Sequence, residues 1–168
     1  SARSKRFITA EGQALAQEAI IATRLSGLIV LGGNGSLAGA RALQPAKTFD
    51  GRPLAIVGIP ASIDNDIACT GMSIGVDTAM NTIVEACDRI ADTAGSHQRT
   101  FIVEVMGRDC GYLAMVAGLA AQADVVLFPE AEKTESAIVD HVMQAIDSAY
   151  SRQGGRRHVL VIKSEGVK

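Results

Sequence analysis

Long apolar runs are missing from this 168-residue sequence, and their absence excludes one large class of proteins. No run reaches the length of about 18 residues that a membrane-spanning helix needs, and no signal peptide is recognisable. A strong excess of charge is missing as well, because the net charge is −2 with 20% charged residues. A chain this close to neutral is poorly suited to nucleic acid. We therefore expect neither a membrane nor a nucleic-acid partner.

Cysteine is scarce, with Cys69, Cys87 and Cys110 as the whole set. Their odd number and the lack of C-x-x-C spacing argue against a disulfide framework and against a zinc site. Reduced thiols are typical of cytosolic proteins, so a cytoplasmic location is expected. A hydrophobic share of 48% in a chain of this length is enough to bury a core. One globular domain is the expectation.

Apolar runs alternate with helical patterns along the chain. Strand-like runs lie at 28–31, 54–59, 100–105, 125–128 and 158–162, and helical patterns at 10–24, 36–43, 75–93, 111–122 and 135–152. Strands separated by helices predict an α/β fold of parallel βαβ units, with helices on both faces of the sheet. We expect residues 1–168 to form a single α/β region.

Unusual residues follow several of these predicted strands. The stretches are Gly33–Ser36, Ser62–Asp66, Met106–Arg108 and Ser164–Glu165. Ligands of open parallel sheets gather beyond the carboxyl ends of the strands. The four loops are therefore expected to share one edge and to form a site there.

The glycine-rich loop that follows the first strand has two interpretations. Glycine permits a tight turn, and the helix that begins near Ser36 would offer N–H groups to a phosphate. Alternatively, Ser36 only caps that helix. The stretch also fits the dinucleotide pattern G-x-G-x-x-A loosely, but the next strand ends in Pro60 and offers no acid for a ribose. A nucleotide-binding oxidoreductase module is therefore disfavoured. The stretch is not a P-loop either, because the Lys-Ser/Thr ending of that motif is absent.

The loop after the second strand carries Asp64 and Asp66 around Asn65. One carboxylate is suited to accept a proton from an attacking hydroxyl, and the other to face Mg²⁺, which takes few carboxylates together with phosphates and water. The alternative is ordinary turn chemistry with solvated side chains. Arg108 offers a permanent charge and a forked donor for phosphate oxygens, although many such arginines only form surface ion pairs.

Four stretches together resemble the central part of 6-phosphofructokinases: GGNGS, IPASIDNDI, TAGSHQRTFIVEVMGRDCGYLA and LFPE, in this order and spacing. The resemblance spans nearly the whole chain. It implies transfer of a phosphoryl group from Mg²⁺–ATP to the 1-hydroxyl of fructose 6-phosphate in glycolysis. It also implies that the N-terminal phosphate-binding strand and a C-terminal segment of the family are absent, so the chain alone is expected to be inactive. Family members are homo-oligomers, commonly tetramers.

The resemblance assigns roles to individual residues on the sugar side. It makes Asp64 the base, places Ser62 near the transferred phosphoryl group and gives Asp66 to Mg²⁺. The other substrate-binding residues that it implies are Arg99, Met106, Gly107, Arg108 and Glu165. Among these, Arg108 lies near the transferring phosphate, Glu165 hydrogen-bonds the sugar, and Arg99 reaches the 6-phosphate in a neighbouring subunit.

On the nucleotide side, the resemblance implies binding by Arg3, Gly33, Asn34, Gly35 and Ser36. Asn34 stands where the family usually has an aspartate associated with Mg²⁺–ATP, which lowers the expected metal affinity. Ala91 stands where bacterial relatives have an effector-site arginine, so the usual allosteric control is not expected.

The phosphoryl donor is also indicated by the resemblance. Gly35 and Ala61 are small where the pyrophosphate-using branch tends to have larger residues, which favours ATP. A pyrophosphate-dependent enzyme and a non-catalytic relative that binds sugar phosphate or nucleotide are the remaining alternatives.

Overall fold

The computed structural model describes residues 5–131, 134–151 and 158–168, so Arg3 lies outside the described residues. Within them, the strands are β1 Gly27–Gly32, β2 Ala55–Pro60, β3 Thr100–Val105, β4 Val125–Leu127 and β5 Val159–Ser164. The α-helices are α1 Ala10–Ala22, α2 Asn34–Ala42, α3 Val76–His97, α4 Tyr112–Ala120 and α5 Glu135–Ser151, with 3₁₀ turns at Lys5–Ile8 and Pro129–Ala131. The α/β class and the order of its elements are as predicted.

The strands form two parallel sheets. β1 pairs with β2, while β3, β5 and β4 form a second sheet with β5 in the middle. The chain divides into two compact units that contain one sheet each. The first unit comprises Ser1–Ser62 and Ile67–Ile74, and the second comprises Ile63–Asp66 and Gly75–Lys168. Division into two sheets was not part of the prediction.

In the second unit, helices cover both faces of the sheet because β5 is apolar on both sides. Leu160 and Ile162 point to a cluster shared with α3 and α4, whereas Val159 and Val161 point to α5. Alternate side chains of a strand face opposite sides, so a central parallel strand is a continuous apolar run. All four residues are at most 4% exposed. The predicted two-sided arrangement is confirmed for this sheet.

In the first unit, the core lies on one face of the β1–β2 sheet. Ile20 of α1 is buried there with Leu43 and Leu54. The side chains that point to the other face, Ile29 and Val57, are 64% and 56% exposed. Within the described residues, this second face is therefore uncovered.

Two helices differ from their predicted limits in ways that affect the site. α2 begins at Asn34, with Gly33 in extended conformation as its N-cap, because the N–H of Ser36 already bonds to the Gly33 carbonyl at 3.0 Å. The interpretation of Ser36 as the cap is therefore wrong. α3 continues to His97 and ends where Gln98 adopts a left-handed φ of 52°. Among the described residues, no helix has the length and apolar character that crossing a membrane requires.

Candidate active site

The loop after β2 holds Asp64 in a half-buried position. Ile63 anchors it, because a Cβ placed on Gly75 at the start of α3 would lie 3.4 Å from the Ile63 side chain. Asn65 turns the chain with a φ of 53°, a left-handed conformation that asparagine tolerates better than most residues. The Oδ1 atom of Asp64 is buried and has no hydrogen-bond partner among the described residues. The loop thus presents a carboxylate oxygen that the described part of the protein leaves unsatisfied.

The surroundings of Asp64 make its carboxylate more basic. Burial is the largest cause that raises its pKa, followed by the negative charges of Asp66, Glu165 and Asp109. The positive charge of Arg108 acts in the opposite direction and lowers the pKa in part. Asp64 is therefore close enough to Arg108 for their charges to interact, as the predicted site requires.

Arg108 lies on a loop between β3 and α4 whose backbone is tightly constrained. Gly107 has a φ of 126°, and a Cβ there would lie 2.3 Å from the carbonyl oxygen of Cys110, so only glycine fits. The N–H of Gly166 donates to the Gly107 carbonyl at 3.3 Å. A Cβ on Gly166 would lie 1.8 Å from the Arg108 carbonyl oxygen, which shows how closely the two strand-end loops approach.

These loops form a cleft of about 630 Å³. Its lining consists of Arg108, Asp109, Pro129, Glu130, Glu165, Gly166 and Lys168. The cleft therefore combines carboxylates with an exposed arginine beyond the carboxyl ends of β3 and β5. A phosphorylated, hydroxyl-bearing ligand matches this set of cations and proton acceptors.

Two acidic residues of this cleft received no role from the sequence. Glu130 accepts the Gly111 N–H with both carboxylate oxygens, at 2.8 and 3.0 Å, just before α4 begins. Asp109 is exposed, lines the cleft, and helps to raise the pKa of Asp64 through its negative charge. The signal for Glu130 was available, because it follows β4 and the ends of parallel strands meet at one edge.

In the first unit, the loops after β1 and β2 also meet. A Cβ on Gly33 would lie 3.4 Å from the Cβ of Ser62, and the Ala61 N–H donates to the Gly32 carbonyl at 3.0 Å. Asn34, Gly35 and Ser36 form the first turn of α2. A first turn presents N–H groups and a positive dipole end, which suit phosphate.

The predicted site residues thus fall into two groups. The second unit brings together Asp64, Asp66, Gly107, Arg108 and Glu165, with Met106 54% exposed at the end of β3. The first unit brings together Ser62 and Gly33–Ser36. That all of these residues serve one site stays a prediction.

Arg99 is separate from both groups. It directly precedes β3, whereas Arg108 lies beyond the other end of this six-residue strand. At roughly 3.3 Å per residue, the strand spans about 20 Å. Arg99 and Arg108 of one chain are therefore too far apart to bind the same phosphate.

A metal site made only of protein groups is not seen in the described part of the chain, where no three or more His, Cys, Asp or Glu side chains are grouped to hold an ion. Mg²⁺ does not require such a cage, since it usually takes one or two carboxylates together with substrate phosphates and water. The exposed carboxylate of Asp66 fits that role. The amide of Asn34 is uncharged and is a weaker ligand than the aspartate that the resemblance leads one to expect.

Comparison with known proteins identifies the family. The phosphofructokinase family model matches residues 1–168, and the chain belongs to the phosphofructokinase family. It is 48% identical over 167 residues to an ATP-dependent 6-phosphofructokinase of Brevibacillus brevis, covering 99% of this chain and 49% of the relative.

Solved structures show the same fold. A phosphofructokinase from Saccharomyces cerevisiae superimposes with a TM-score of 0.85 at 35% identity, covering 98% of this chain and 24% of that one. A pyrophosphate-dependent phosphofructokinase from Marinobacter aquaeolei reaches 0.77 at 25% identity, covering 94% and 41%. The chain spans about half the length of the curated relatives it matches.

Proposed function

We propose that the whole protein transfers the terminal phosphoryl group of ATP to the 1-hydroxyl of fructose 6-phosphate and gives fructose 1,6-bisphosphate. The environment of Asp64 supports this proposal most directly: its carboxylate is half-buried, has one unsatisfied oxygen and lies within electrostatic reach of Arg108. Relatives about as similar as the Brevibacillus brevis protein are named ATP-dependent 6-phosphofructokinases, which supports the same reaction. We propose a cytoplasmic location, as expected for a glycolytic enzyme.

Phosphoryl transfer needs alignment and neutralisation of charge more than covalent help. Asp64 accepts the proton of the attacking hydroxyl, and its raised pKa improves it as a base at neutral pH. Arg108 compensates the charge that develops on the transferring phosphoryl group. Glu165, exposed in the same cleft as Arg108, orients the sugar by accepting hydrogen bonds from its hydroxyls. Met106 and Gly107, which directly precede Arg108, are assigned to the sugar-phosphate pocket by the resemblance.

The nucleotide side is assigned to Gly33, Asn34, Gly35 and Ser36, whose first-turn backbone suits phosphate, with Ser62 beside them. Bound Mg²⁺ would neutralise phosphate charge, and Asp66 is the carboxylate to hold it. Asn34→Asp should tighten Mg²⁺–nucleotide binding by about 10-fold, the lower end of the effects seen for groups that support a metal. Equal affinity in a titration would remove Asn34 from the metal side.

Arg99 is proposed to serve a neighbouring subunit, because β3 separates it from Arg108. The proposal requires a homo-oligomer. Mixing inactive Arg99→Ala with inactive Asp64→Asn should restore activity in hybrid oligomers, since some sites then receive both intact residues. No recovery after subunit exchange would leave Arg99 without this role.

The donor is tested by assaying the whole protein with fructose 6-phosphate, Mg²⁺ and either ATP or pyrophosphate. Small residues at Gly35 and Ala61 support ATP, and the structural likeness to a pyrophosphate-dependent enzyme makes pyrophosphate the second candidate. Turnover with ATP is the expected result. Turnover with pyrophosphate alone would replace the donor, and ligand binding without turnover would indicate a non-catalytic relative.

A further inference from the structure

The loop from Met106 to Gly111 is held in place by the end of β5. Ser164, the last residue of β5, is completely buried, and its hydroxyl donates a hydrogen bond to the carbonyl oxygen of Gly107. The N–H of Gly166 donates to the same oxygen from 3.3 Å. Two donors from one neighbouring segment therefore fix the peptide that precedes Arg108.

A serine is an unusual residue to bury at this position. The residues from Val159 to Ile162 are apolar and buried, and Lys163 is partly exposed and pairs with Glu104, so Ser164 is the one polar side chain that β5 buries. Burying a hydroxyl costs free energy unless it is hydrogen-bonded, and an alanine at this position would avoid that cost. The bond to Gly107 accounts for the hydroxyl, whereas packing does not.

The orientation of the Gly107 carbonyl determines the direction in which the backbone of Arg108 continues, and so where its side chain begins. A peptide unit is planar, so the carbonyl of Gly107 and the N–H of Arg108 turn together. Gly107 has no side chain to restrict its dihedral angles and already has a φ of 126°. Without a bond to its carbonyl, the plane between Gly107 and Arg108 would therefore be less restricted than one that follows a residue with a side chain.

We propose that Ser164 is a positioning residue, whose buried hydroxyl holds the Gly107–Arg108 peptide and so sets the guanidinium of Arg108 opposite Asp64. This role rests on the proposed function, because the position of Arg108 matters for the charge on a transferring phosphoryl group. The cleft carries the consequence directly, since Arg108 and Glu165 line it together and leave from the two segments that Ser164 connects.

The first test removes only the hydroxyl. In the whole protein, Ser164→Ala should lower kcat about 10-fold with KM changed less than about 2-fold, because a misplaced arginine weakens contacts made in the transition state. Ser164→Thr keeps a hydroxyl and should retain most of the activity. Thr48→Val is the matched control, because it removes another buried hydroxyl, in the turn before β2, and should leave kcat unchanged.

A double-mutant cycle separates positioning from general destabilisation. If Ser164 acts through Arg108, Ser164→Ala should have no further effect on kcat once Arg108 is alanine. Full additivity of the two losses would overturn the proposal. A kcat of Ser164→Ala equal to that of the parent would overturn it as well.

Hydrogen exchange provides a readout that does not depend on turnover. The backbone amides of Met106–Gly111 should exchange about 10-fold faster in Ser164→Ala, while those of β5 upstream keep their rates. If the parent protein had no kinase activity, the proposed function would be refuted. The exchange rates would still show whether Ser164 holds the loop in place. Unchanged exchange in the loop would overturn that hold whatever the activity; faster exchange everywhere would show unfolding, not positioning, and would overturn it too.

Discussion

The two loops that flank β2 in the sequence each contain an aspartate, but the two carboxylates have opposite environments. In the turn before β2, the carboxylate of Asp50 accepts hydrogen bonds from the Thr48 hydroxyl at 2.5 Å and from Nε of Arg52 at 2.7 Å. These bonds, first the one from Arg52 and then the one from Thr48, lower the pKa of Asp50 to about 2. In the loop after β2, one oxygen of Asp64 has no partner among the described residues, and the pKa of Asp64 is raised.

The glycines of the two regions differ in the same way. Gly51 has a φ of 80° and nothing within 4 Å of where a Cβ would stand, so its conformation serves only the turn. Gly107 is enclosed by Cys110 and Ser164 and brings Arg108 to a cleft built from distant parts of the chain. A turn that satisfies its own groups is stable and inert. A loop that leaves a carboxylate oxygen unsatisfied within electrostatic reach of an arginine has capacity to bind and react.

The largest expected effect concerns the reaction. Asp64→Asn should lower kcat of the whole protein by about 10²–10⁴-fold while substrate binding survives, since the amide accepts no proton from the hydroxyl. Asp50→Asn should leave kcat unchanged, because Asp50 serves only its turn. Steady-state kinetics of both variants provide the check, and an unchanged kcat in Asp64→Asn would remove Asp64 as the base.

The next effect concerns the backbone. Gly107→Ala should lower the free energy of unfolding by about 3 kcal/mol, because the added Cβ is strained at this φ and meets the Cys110 carbonyl. Gly51→Ala carries the φ strain alone and should cost only about 1 kcal/mol. Urea unfolding of the two variants measures the difference. Equal costs would mean that the loop around Gly107 yields as easily as an exposed turn.

The smallest effects concern charge and have opposite signs. Asp64 has a folded-state pKa above its unfolded value, so its ionisation destabilises the fold as pH rises through that interval, and the cost persists above it. Asp64→Asn should therefore stabilise the protein at pH 7, and this gain should fade as the pH falls below the unfolded-state pKa of aspartate, about 4. Asp50, whose pKa is about 2, contributes stability that is present above its unfolded value and lost as pH falls toward 2.

Asp50→Asn should accordingly destabilise slightly at pH 7, and most of this effect should be lost near pH 2, where about half of the folded-state Asp50 is protonated. Urea midpoints measured at both pH values, for both variants, give the comparison. A destabilising Asp64→Asn at neutral pH would show that the carboxylate has a partner in solution after all.

Local chemistry explains which parts of the fold were predictable. The predicted start of α1 at residue 10 is confirmed, with the Thr9 hydroxyl accepting the Gly12 N–H, and β5 followed from its apolar run. The start of α2 was placed too late, because Ser36 is as good a cap by composition as Gly33 and only the backbone of Gly33 decides. The division into two sheets depends on packing between distant segments, for which no short stretch carries a signal.

The site was predictable to a similar depth. The strand-end rule led to Asp64, Arg108 and Glu165, which the structure brings within electrostatic reach of one another. The contact of Glu130 with Gly111 depends on the 3₁₀ turn after β4, and the bond of Ser164 depends on an unusual φ at Gly107. The bond of Ser164 has no pattern in the sequence, because it arises from backbone geometry, whereas the place of Glu130 after β4 was a signal that the strand-end rule could have used.

The close approach of Gly166 to the Arg108 carbonyl has an evolutionary consequence. Where main chain lies against main chain, an added side chain collides, so substitution of Gly107 or Gly166 is expected to be strongly unfavourable. A change in the preferred phosphoryl acceptor is then expected to arise from side chains that line the cleft beside these glycines, chiefly Asp109 and Glu165. Divergent family members are expected to keep both glycines and to differ at Asp109 and Glu165.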